Sequence, residues 1–164
     1  MRFVADAMVG TLAKWLRILG YDTCFDADMD DHQLVRLARA EDRVLLTRDR
    51  ELSQRPGLKS VLLIGKSLES QVAQVLAELH LEPDRAFSRC PVCNEPLTEV
   101  DREVVRDRVP AYVARTHKSF STCPACQRIY WRGTHWQQMD EQLARILAGE
   151  ISLEAEEASK EHSK

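Results

Sequence analysis

The sequence lacks any long apolar run. No stretch approaches the roughly 20 consecutive apolar residues that a membrane-spanning helix needs, although 44% of the residues are hydrophobic. Residues 1–10, MRFVADAMVG, also lack the apolar core and the small-residue cleavage site of a secretory signal peptide. We therefore expect a cytoplasmic protein with no membrane partner. Its 164 residues suffice for one medium domain with a small appendage.

One segment has no acidic residues. Between Arg108 and Asp140 the chain contains neither Asp nor Glu. Residues 89–139 carry 8 Lys and Arg against 5 Asp and Glu, a formal charge of +3 in a chain whose net charge is −3. A basic segment beside acidic ones favours a polyanionic partner. Ordinary variation of surface charge is the alternative explanation.

The first half of the chain alternates between strand-like and helix-like patterns. Continuous apolar runs such as VLLI at residues 61–64 are typical of strands buried on both faces. Gly20 is placed to end the first helix, and Asp31 to cap the second. The alternation predicts a three-layer α/β/α domain with a mostly parallel sheet. The predicted strands are residues 2–5, 21–25, 44–46 and 61–64, and the predicted helices are residues 10–19, 32–40 and 67–79.

The character of the chain changes near residue 87, where few helix signals remain. We predict an α/β domain over residues 1–86 and a second module over residues 87–139, whose two C-x-x-C pairs indicate a zinc ribbon. Residues 140–164 are predicted to form a short helix, residues 140–148, followed by a disordered tail rich in Glu, Ser and Lys.

Four of the five cysteines form two C-x-x-C pairs, Cys90 with Cys93 and Cys123 with Cys126. The 29-residue spacing between the pairs suits a four-thiolate zinc site if a hairpin insert fills the spacer. Such a closed site has no open position, so we expect a structural role. The alternatives are disulfides and an iron ion in the same thiolate cage. Cys24, within a predicted strand, is expected to pack as a small hydrophobic residue.

Cations and aromatic residues alternate around the second cysteine pair. Together they can contact phosphates and stack on unpaired bases, which favours single-stranded RNA as the partner. Alternatively, the aromatic rings only dock the ribbon on the first domain. The aromatic residues are Tyr130, Trp131 and Trp136, and the cations expected to contact RNA are Lys118, Arg128 and Arg132.

Acidic residues follow three of the predicted strands. Asp6 follows the first strand, Asp49 the third, and Asp28, Asp30 and Asp31 the second. Because parallel strands end at one edge of a sheet, these carboxylates are expected to converge and to need a neutralising cation such as Mg²⁺ or Mn²⁺. Each also has a structural alternative: Asp31 as a helix cap, Asp28 and Asp30 as solvated loop acids, and Asp49 as the cap of a turn over residues 49–53.

Taken together, these stretches resemble PIN-domain nucleases, and are most similar to the Mut-seven C-terminal RNase domain family. The resemblance covers residues 1 to about 140. It rests on the strand ending in Asp6, the LAKWLR stretch with GYD, the DHQL stretch, the LTRD stretch, the two CPxC pairs and the YWRGTHW stretch at residues 130–136.

The resemblance implies a compact PIN-like fold with a C-terminal zinc ribbon and an RNase that depends on Mg²⁺ or Mn²⁺. It implies that Asp6, Asp31 and Asp49 are the catalytic acids and metal ligands. The chain is compact where many PIN nucleases carry a further acid, and Glu51 is the candidate after Asp49. Whether the site holds one catalytic ion or two therefore remains open.

Three cations near these acids are expected to contact the phosphates of the substrate. They are Lys14, Arg17 and Arg48. For Arg48, an ion pair with Asp49 or Asp6 is an equal alternative. The main rival to an RNase is a non-catalytic RNA- or ribosome-associated binding protein with the same fold. The sequence does not identify a protein partner.

Overall fold

The structure, a computed structural model, describes residues 1–150. The predicted tail therefore lies, from residue 151 on, outside the described residues. Within residues 1–150 no helix is both long enough and apolar enough to cross a membrane.

Four short parallel strands form the first sheet. They are β1 (Arg2–Ala5), β2 (Asp22–Phe25), β3 (Val44–Thr47) and β4 (Ser60–Leu62), in the order β2-β1-β3-β4. All three strand pairs are parallel, as the sequence predicts. Residues on the two central strands are buried nearly throughout, because helices cover both faces of this sheet.

Each face of the sheet has its own apolar cluster. On one face, Phe3 and Leu46 pack with Leu12 and Leu16 of α1 (Gly10–Ile18) and with residues of α4 (Leu68–Glu78). The opposite face packs Val4 and Leu45 against α2 (Asp31–Ala40) and α3 (Arg50–Ser53). A single 3-10 turn, Ala7–Val9, joins β1 to α1. The alternation along each strand thus produces the predicted three layers, and Cys24 packs against the second cluster as expected.

The helix boundaries follow local chemistry. Ser67 caps α4 by accepting a hydrogen bond from the Ser70 N–H at 3.1 Å, as predicted. The cap of α2 is Asp30, not the predicted Asp31. Asp30 accepts from the Gln33 N–H at 2.8 Å, while the Gln33 side chain accepts from the Asp30 N–H at 2.9 Å. This reciprocal capping box is possible only one residue earlier, because Gln33 must stand three residues after the cap.

Gly20 ends α1, as predicted. Its φ angle of 93° lies in the left-handed region, where side chains with a Cβ atom are disfavoured. A Cβ there would also lie 2.4 Å from the carbonyl oxygen of Arg85. The turn therefore brings the segment before the first cysteine pair directly against the end of α1.

The second sheet is antiparallel and has three strands, β5 (Thr98–Val100), β6 (Phe120–Thr122) and β7 (Ile129–Trp131). The long spacer between the cysteine pairs holds β5, β6 and two short helices, α5 (Arg102–Val105) and α6 (Ala111–Thr116), rather than a simple hairpin insert. Val105 and Val113 on these helices cover Phe120 on the sheet. The helices are therefore needed to close the small apolar cluster of this module.

The last described helix, α7 (Thr134–Leu147), starts six residues before the predicted start at residue 140. Gly133 caps it without a side-chain hydrogen bond, so the start carries no polar signal. Leu143 and Ile146 pack into the first apolar cluster, against the α/β part of the chain. The polypeptide thus returns from the ribbon to the first domain.

Side chains cover main-chain groups along both edges of the four-stranded sheet. At the β2 edge, the Thr23 N–H donates to Asn94 Oδ1 at 3.0 Å, and the Thr23 carbonyl accepts from Arg17 Nε at 2.8 Å. At the β4 edge, Gln74 Oε1 accepts from the Ile64 N–H at 3.1 Å, and Gln74 Nε2 donates to the Leu62 carbonyl at 2.8 Å.

Candidate active site and metal centre

Asp6 and Asp49 follow the carboxyl ends of two neighbouring strands, and Thr47 connects them. The Thr47 hydroxyl donates to Asp6 Oδ2 at 2.7 Å and accepts from the Asp49 N–H at 3.0 Å. Thr47 is fully buried at the end of β3, while Asp6 is half-buried and Asp49 exposed. One buried hydroxyl thus fixes the positions of two acids that are 43 residues apart in sequence.

Main-chain amides orient both carboxylates further. Asp6 Oδ1 accepts from the Ala7 N–H at 2.6 Å, and Asp49 Oδ1 accepts from the Leu52 N–H at 3.0 Å. Asp49 is therefore the cap of α3, the structural role proposed for it as an alternative from the sequence. The capping bond occupies one lone pair of one oxygen, so the carboxylate keeps further acceptor sites.

The third predicted acid has a different environment. Asp31 lies in the first turn of α2, is exposed, and its Oδ2 is 3.8 Å from Arg55 Nη2. Within residues 1–150, the only group of three or more potential metal ligands whose atoms all lie within 4.8 Å of one another is the set of four cysteines. The structure thus links Asp6 with Asp49, and leaves Asp31 outside a compact group with them.

The three cations predicted to contact substrate near the acids differ in exposure. Lys14 and Arg48 are exposed, and Arg48 forms no ion pair with any residue in the described range. The structure corrects the predicted contact of Arg17 with substrate, because this side chain is only 6% exposed. Its Nε donates to the Thr23 carbonyl, and its Nη1 donates to the carbonyls of Pro91 and Val92, both at 3.0 Å. Arg17 therefore joins α1 to the first cysteine pair instead of facing RNA.

The three ribbon cations differ in their contacts within the protein. Lys118 is exposed and free to contact a ligand from this surface. The Arg132 guanidinium lies 4.8 Å from the ring centroid of Trp136, a cation–π arrangement. Arg128 hydrogen-bonds with Cys126, and this bond raises the pKa of its guanidinium. Arg128 thus has an internal partner, which offsets thiolate charge, in addition to the predicted RNA contact.

The aromatic residues each have a packing partner within the described protein. Trp131 packs on Phe120 in the ribbon cluster, with ring centroids 6.5 Å apart. Trp136, at the start of α7, packs on Phe87 with centroids 4.6 Å apart. The Tyr130 hydroxyl lies 3.1 Å from Cys90 Sγ. These contacts fit the structural alternative for the three rings.

The four paired cysteines bring their sulfur atoms together. All four Sγ atoms lie within 4.8 Å of one another, and those of Cys90 and Cys126 are 3.9 Å apart. The edge of a zinc–thiolate tetrahedron is about 3.8 Å when each Zn–S bond is about 2.3 Å. Cys90 and Cys123 are fully buried. The set is therefore compatible with a structural zinc ion.

The surroundings favour the thiolate of Cys126, whereas a hydrogen bond with Cys126 raises the pKa of Cys93 to about 12 and burial raises the pKa of Cys123. Hydrogen bonds from the Arg128 main chain and then its side chain lower the pKa of Cys126 to about 6. The Cys93 N–H also points to Cys90 Sγ, at 3.4 Å. Donors directed at sulfur stabilise the charged form, which is the form that binds a metal.

A family model for the Mut7-C RNAse domain matches residues 1–143 of the sequence. The chain belongs to the Mut7-C RNAse domain family. A human relative, named exonuclease mut-7 homolog, is 32% identical over 114 residues, which cover 64% of this chain and 13% of the relative. The chain thus corresponds to a small part of that larger protein.

Membership of the Mut7-C RNAse domain family supports a nuclease-like function. The family match includes both the Asp6–Thr47–Asp49 edge and the four cysteines, since all of them lie within residues 1–143. The bond from Thr47 to Asp6 is the part of the site that sequence reasoning missed. Its signal is a polar residue at the buried end of an otherwise apolar strand, two residues before an acid.

Proposed function

We propose that the chain is a ribonuclease that uses Mg²⁺ or Mn²⁺ at the edge formed by Asp6 and Asp49. The observation that carries this proposal is the Thr47 hydroxyl, which hydrogen-bonds to Asp6 Oδ2 and to the Asp49 N–H in a member of an RNase family. The buried hydroxyl holds Asp6 through its carboxylate and Asp49 through its main-chain N–H. Both acids therefore stand at the sheet edge where ligands bind in parallel α/β folds.

The donor set suits a hard divalent cation. Asp6 and Asp49 offer carboxylate oxygens that keep lone pairs beyond the hydrogen bonds they accept, and Mg²⁺ and Mn²⁺ prefer oxygen ligands. When bound, such an ion activates water and stabilises the charge that develops on a phosphodiester. We propose Asp31, at the start of α2, as a third acid that would help to hold the ion.

The chain's own residues have distinct roles in this proposal. Thr47 and the N–H groups of Ala7 and Leu52 orient the carboxylates. Arg48, which is exposed beside Asp49 in sequence, and Lys14, which is exposed on α1, bind substrate phosphates. The ribbon holds single-stranded RNA through Lys118, Arg132 and Arg128, and a zinc ion on Cys90, Cys93, Cys123 and Cys126 stabilises it. We retain the cytoplasm as the proposed location.

Cleavage of labelled single-stranded RNA by the zinc-loaded protein with Mn²⁺ or Mg²⁺ tests the proposal. Asp6→Asn and Asp49→Asn remove ligand charge with little change of shape, and we expect each to lower the rate by about a hundredfold or more. Thr47→Val is expected to lower it by about tenfold through misplacement of the acids, with recovery in Thr47→Ser. Asp42→Asn is the matched control, because Asp42 is exposed and paired with Lys59.

Equal cleavage by wild type, Asp6→Asn and Asp49→Asn would point to a contaminating enzyme and contradict the proposal. The second candidate is a non-catalytic RNA-binding module, which is favoured by the absence of a compact three-acid group within residues 1–150. Titration calorimetry with Mn²⁺ separates the two. Heat that disappears in Asp6→Asn supports the ribonuclease, while no heat in wild type, together with RNA binding, supports the module.

A further inference from the structure

A basic groove lies between α2 and the loop that follows α3. Its volume is about 540 Å³. Val35 and Pro56 form its apolar part, and no acidic residue lines it. We call it the α2 groove, and its basic residues are His32, Arg36, Arg39 and Arg55.

Two arginines and a histidine share one face of α2. His32, Arg36 and Arg39 stand four and three residues apart, so their side chains are neighbours on the helix surface, about 5–6 Å apart at Cβ. The like charges of Arg36 and Arg39 repel each other at this spacing by a few tenths of a kcal/mol. No acid on α2 stands three or four residues from Arg36. An anion bound between the two guanidinium groups would relieve this repulsion.

The side chains of Arg36 and Arg39 can both contact a ligand in the groove, and that of Arg39 is already held in place. Arg36 is exposed, and it forms no ion pair or hydrogen bond with another residue in the described part of the chain. Arg39 is held across the groove, because its Nη2 donates to the Pro56 carbonyl at 2.6 Å. That single bond leaves the other N–H groups of the guanidinium free to donate. Val35, 7% exposed, forms a firm floor between them.

The groove begins beside the proposed acidic edge. Arg55 lines the groove and also lies 3.8 Å from Asp31. The single turn of α3 separates Arg55 from Asp49 in sequence. The helix α2 starts at the edge where β1 and β3 end and is about 15 Å long. Arg36 and Arg39 therefore extend the groove away from the acids.

We propose that the α2 groove binds the phosphate backbone of single-stranded RNA and guides the strand to the acidic edge. The proposal rests on the ribonuclease function proposed above, and it adds the surface that carries the substrate. Three arginines around an apolar floor suit a flexible polyanion, whose phosphates meet guanidinium groups while its sugars cover Val35 and Pro56. The groove has no deep apolar pocket that would anchor an acidic peptide.

Fluorescence anisotropy tests this inference independently of cleavage. The probe is a labelled oligouridylate of about 15 nucleotides, titrated with full-length, zinc-loaded protein over a range of NaCl concentrations and without added Mg²⁺ or Mn²⁺. The variants are Arg36→Gln, Arg39→Gln and the double variant. Lys59→Gln is the matched control, because it removes one exposed cation that lies outside the groove and pairs with Asp42.

We expect Arg36→Gln and Arg39→Gln each to weaken binding about three- to tenfold at low salt. Each should also reduce the slope of log affinity against log salt concentration by about 0.7, the value for one phosphate contact on a single strand. Lys59→Gln should stay within about twofold of wild type, and Arg36→Lys should keep the wild-type slope. Circular dichroism checks that α2 is intact in each variant.

Three results would overturn the inference. They are groove variants that match Lys59→Gln in affinity and slope, failure of wild type to bind the probe at low salt, or competition by polyglutamate as strong as that by unlabelled oligouridylate. The last would assign the groove to an acidic protein. The two proposals fail separately: RNA binding that depends on Arg36, without cleavage under any condition, keeps the groove and removes the ribonuclease. Cleavage that depends on Asp6 but not on Arg36 keeps the ribonuclease and removes the groove.

Discussion

The two parts of this protein bury very different amounts of apolar surface. The α/β part surrounds its sheet with two clusters that include fully buried Phe3, Leu12, Leu16 and Leu45. The ribbon has one cluster with three buried residues, Val105, Val113 and Phe120. Each such side chain contributes about 1.5–3 kcal/mol, while a structural zinc ion contributes about 10–16 kcal/mol. We therefore expect the first part to fold by apolar burial and the second to depend on a metal ion at its four cysteines.

Loss of a metal ion from the four cysteines should cause the largest difference in stability between the two parts. Cys123→Ser removes a buried ligand, so we expect loss of zinc and unfolding of β5–β7, since about 10 kcal/mol or more of binding energy disappears. Hydrogen exchange should show full deprotection of the ribbon while β1 and β3 stay protected. Cys24→Ser, outside the cysteine set, should keep one zinc per chain. A ribbon that stays protected after complete removal of zinc would contradict the comparison.

Truncation of the apolar core should produce the opposite pattern. Leu12→Ala leaves a cavity beneath α1, and we expect the free energy of unfolding to fall by about 2–5 kcal/mol in urea denaturation. Zinc content of the folded protein should not change. Leu147→Ala, at a position 54% exposed, is the control and should cost less than about 0.5 kcal/mol. An equal loss in both variants would mean that the α/β part is not stabilised by this cluster.

Arg17 tests how strongly the two parts are connected. Arg17→Gln removes donors to the carbonyls of Thr23, Pro91 and Val92 and leaves them without that partner, so we expect destabilisation by about 2–3 kcal/mol. The amide of Thr23 should exchange faster, and the ribbon should melt below the α/β part in a thermal scan. Lys14→Gln changes one exposed charge on the same helix and should leave both properties unaltered. Coincident melting in Arg17→Gln would show that other contacts hold the junction.

Asp22 should give the smallest effect on stability, and the dependence of that effect on pH should identify its charge as the cause. Desolvation opposes its charged form, but hydrogen bonds from Arg43 and Asn94 outweigh this, so the pKa of Asp22 is lowered in the folded protein. Its stabilising contribution is then complete above the unfolded carboxyl pKa of about 3.9, and is lost as pH falls through the lower folded value. We expect wild type to be more stable than Asp22→Asn by about 1 kcal/mol or less near neutral pH.

Denaturant titrations from neutral pH down to about pH 3 should show this difference shrinking. A difference that stays constant over the whole range would mean that the charge of Asp22 does not contribute, and that the variant acts only through its altered hydrogen bonds.

The layered fold could be read from the sequence because its signals are local. Runs such as Val44–Thr47 and the spacing of Leu12 and Leu16 report burial directly, so the first three strands, the first helices and the parallel sheet were predicted correctly. The end of the fourth strand was not, because β4 stops at Leu62 and Ile64 is 62% exposed. The start of α7 was not, because Gly133 offers no side-chain cap. The helices α5 and α6 were missed because each has six residues or fewer, too short for a period to emerge.

The candidate site was only partly predictable, since long-range partners decide it. The prediction that Asp6 and Asp49 converge follows from strand ends alone. The hydrogen bond from Thr47 to Asp6 depends on the register that places Ala5 opposite Leu46. The burial of Arg17 depends on carbonyls more than 70 residues later in the chain, and no local pattern around an arginine indicates such partners.

Side chains that cover the sheet edges also bear on how the protein avoids self-association. An open edge strand offers unpaired main-chain groups to a strand of another molecule and so seeds aggregation. Here Arg17 and Asn94 occupy the carbonyl and the N–H of Thr23 on β2, and Gln74 occupies the Leu62 carbonyl of β4 and the Ile64 N–H just beyond it. One of these covers, Asn94, belongs to the turn of the first cysteine pair. A ribbon that unfolds would therefore expose one sheet edge, so loss of a metal ion from the four cysteines is expected to promote aggregation.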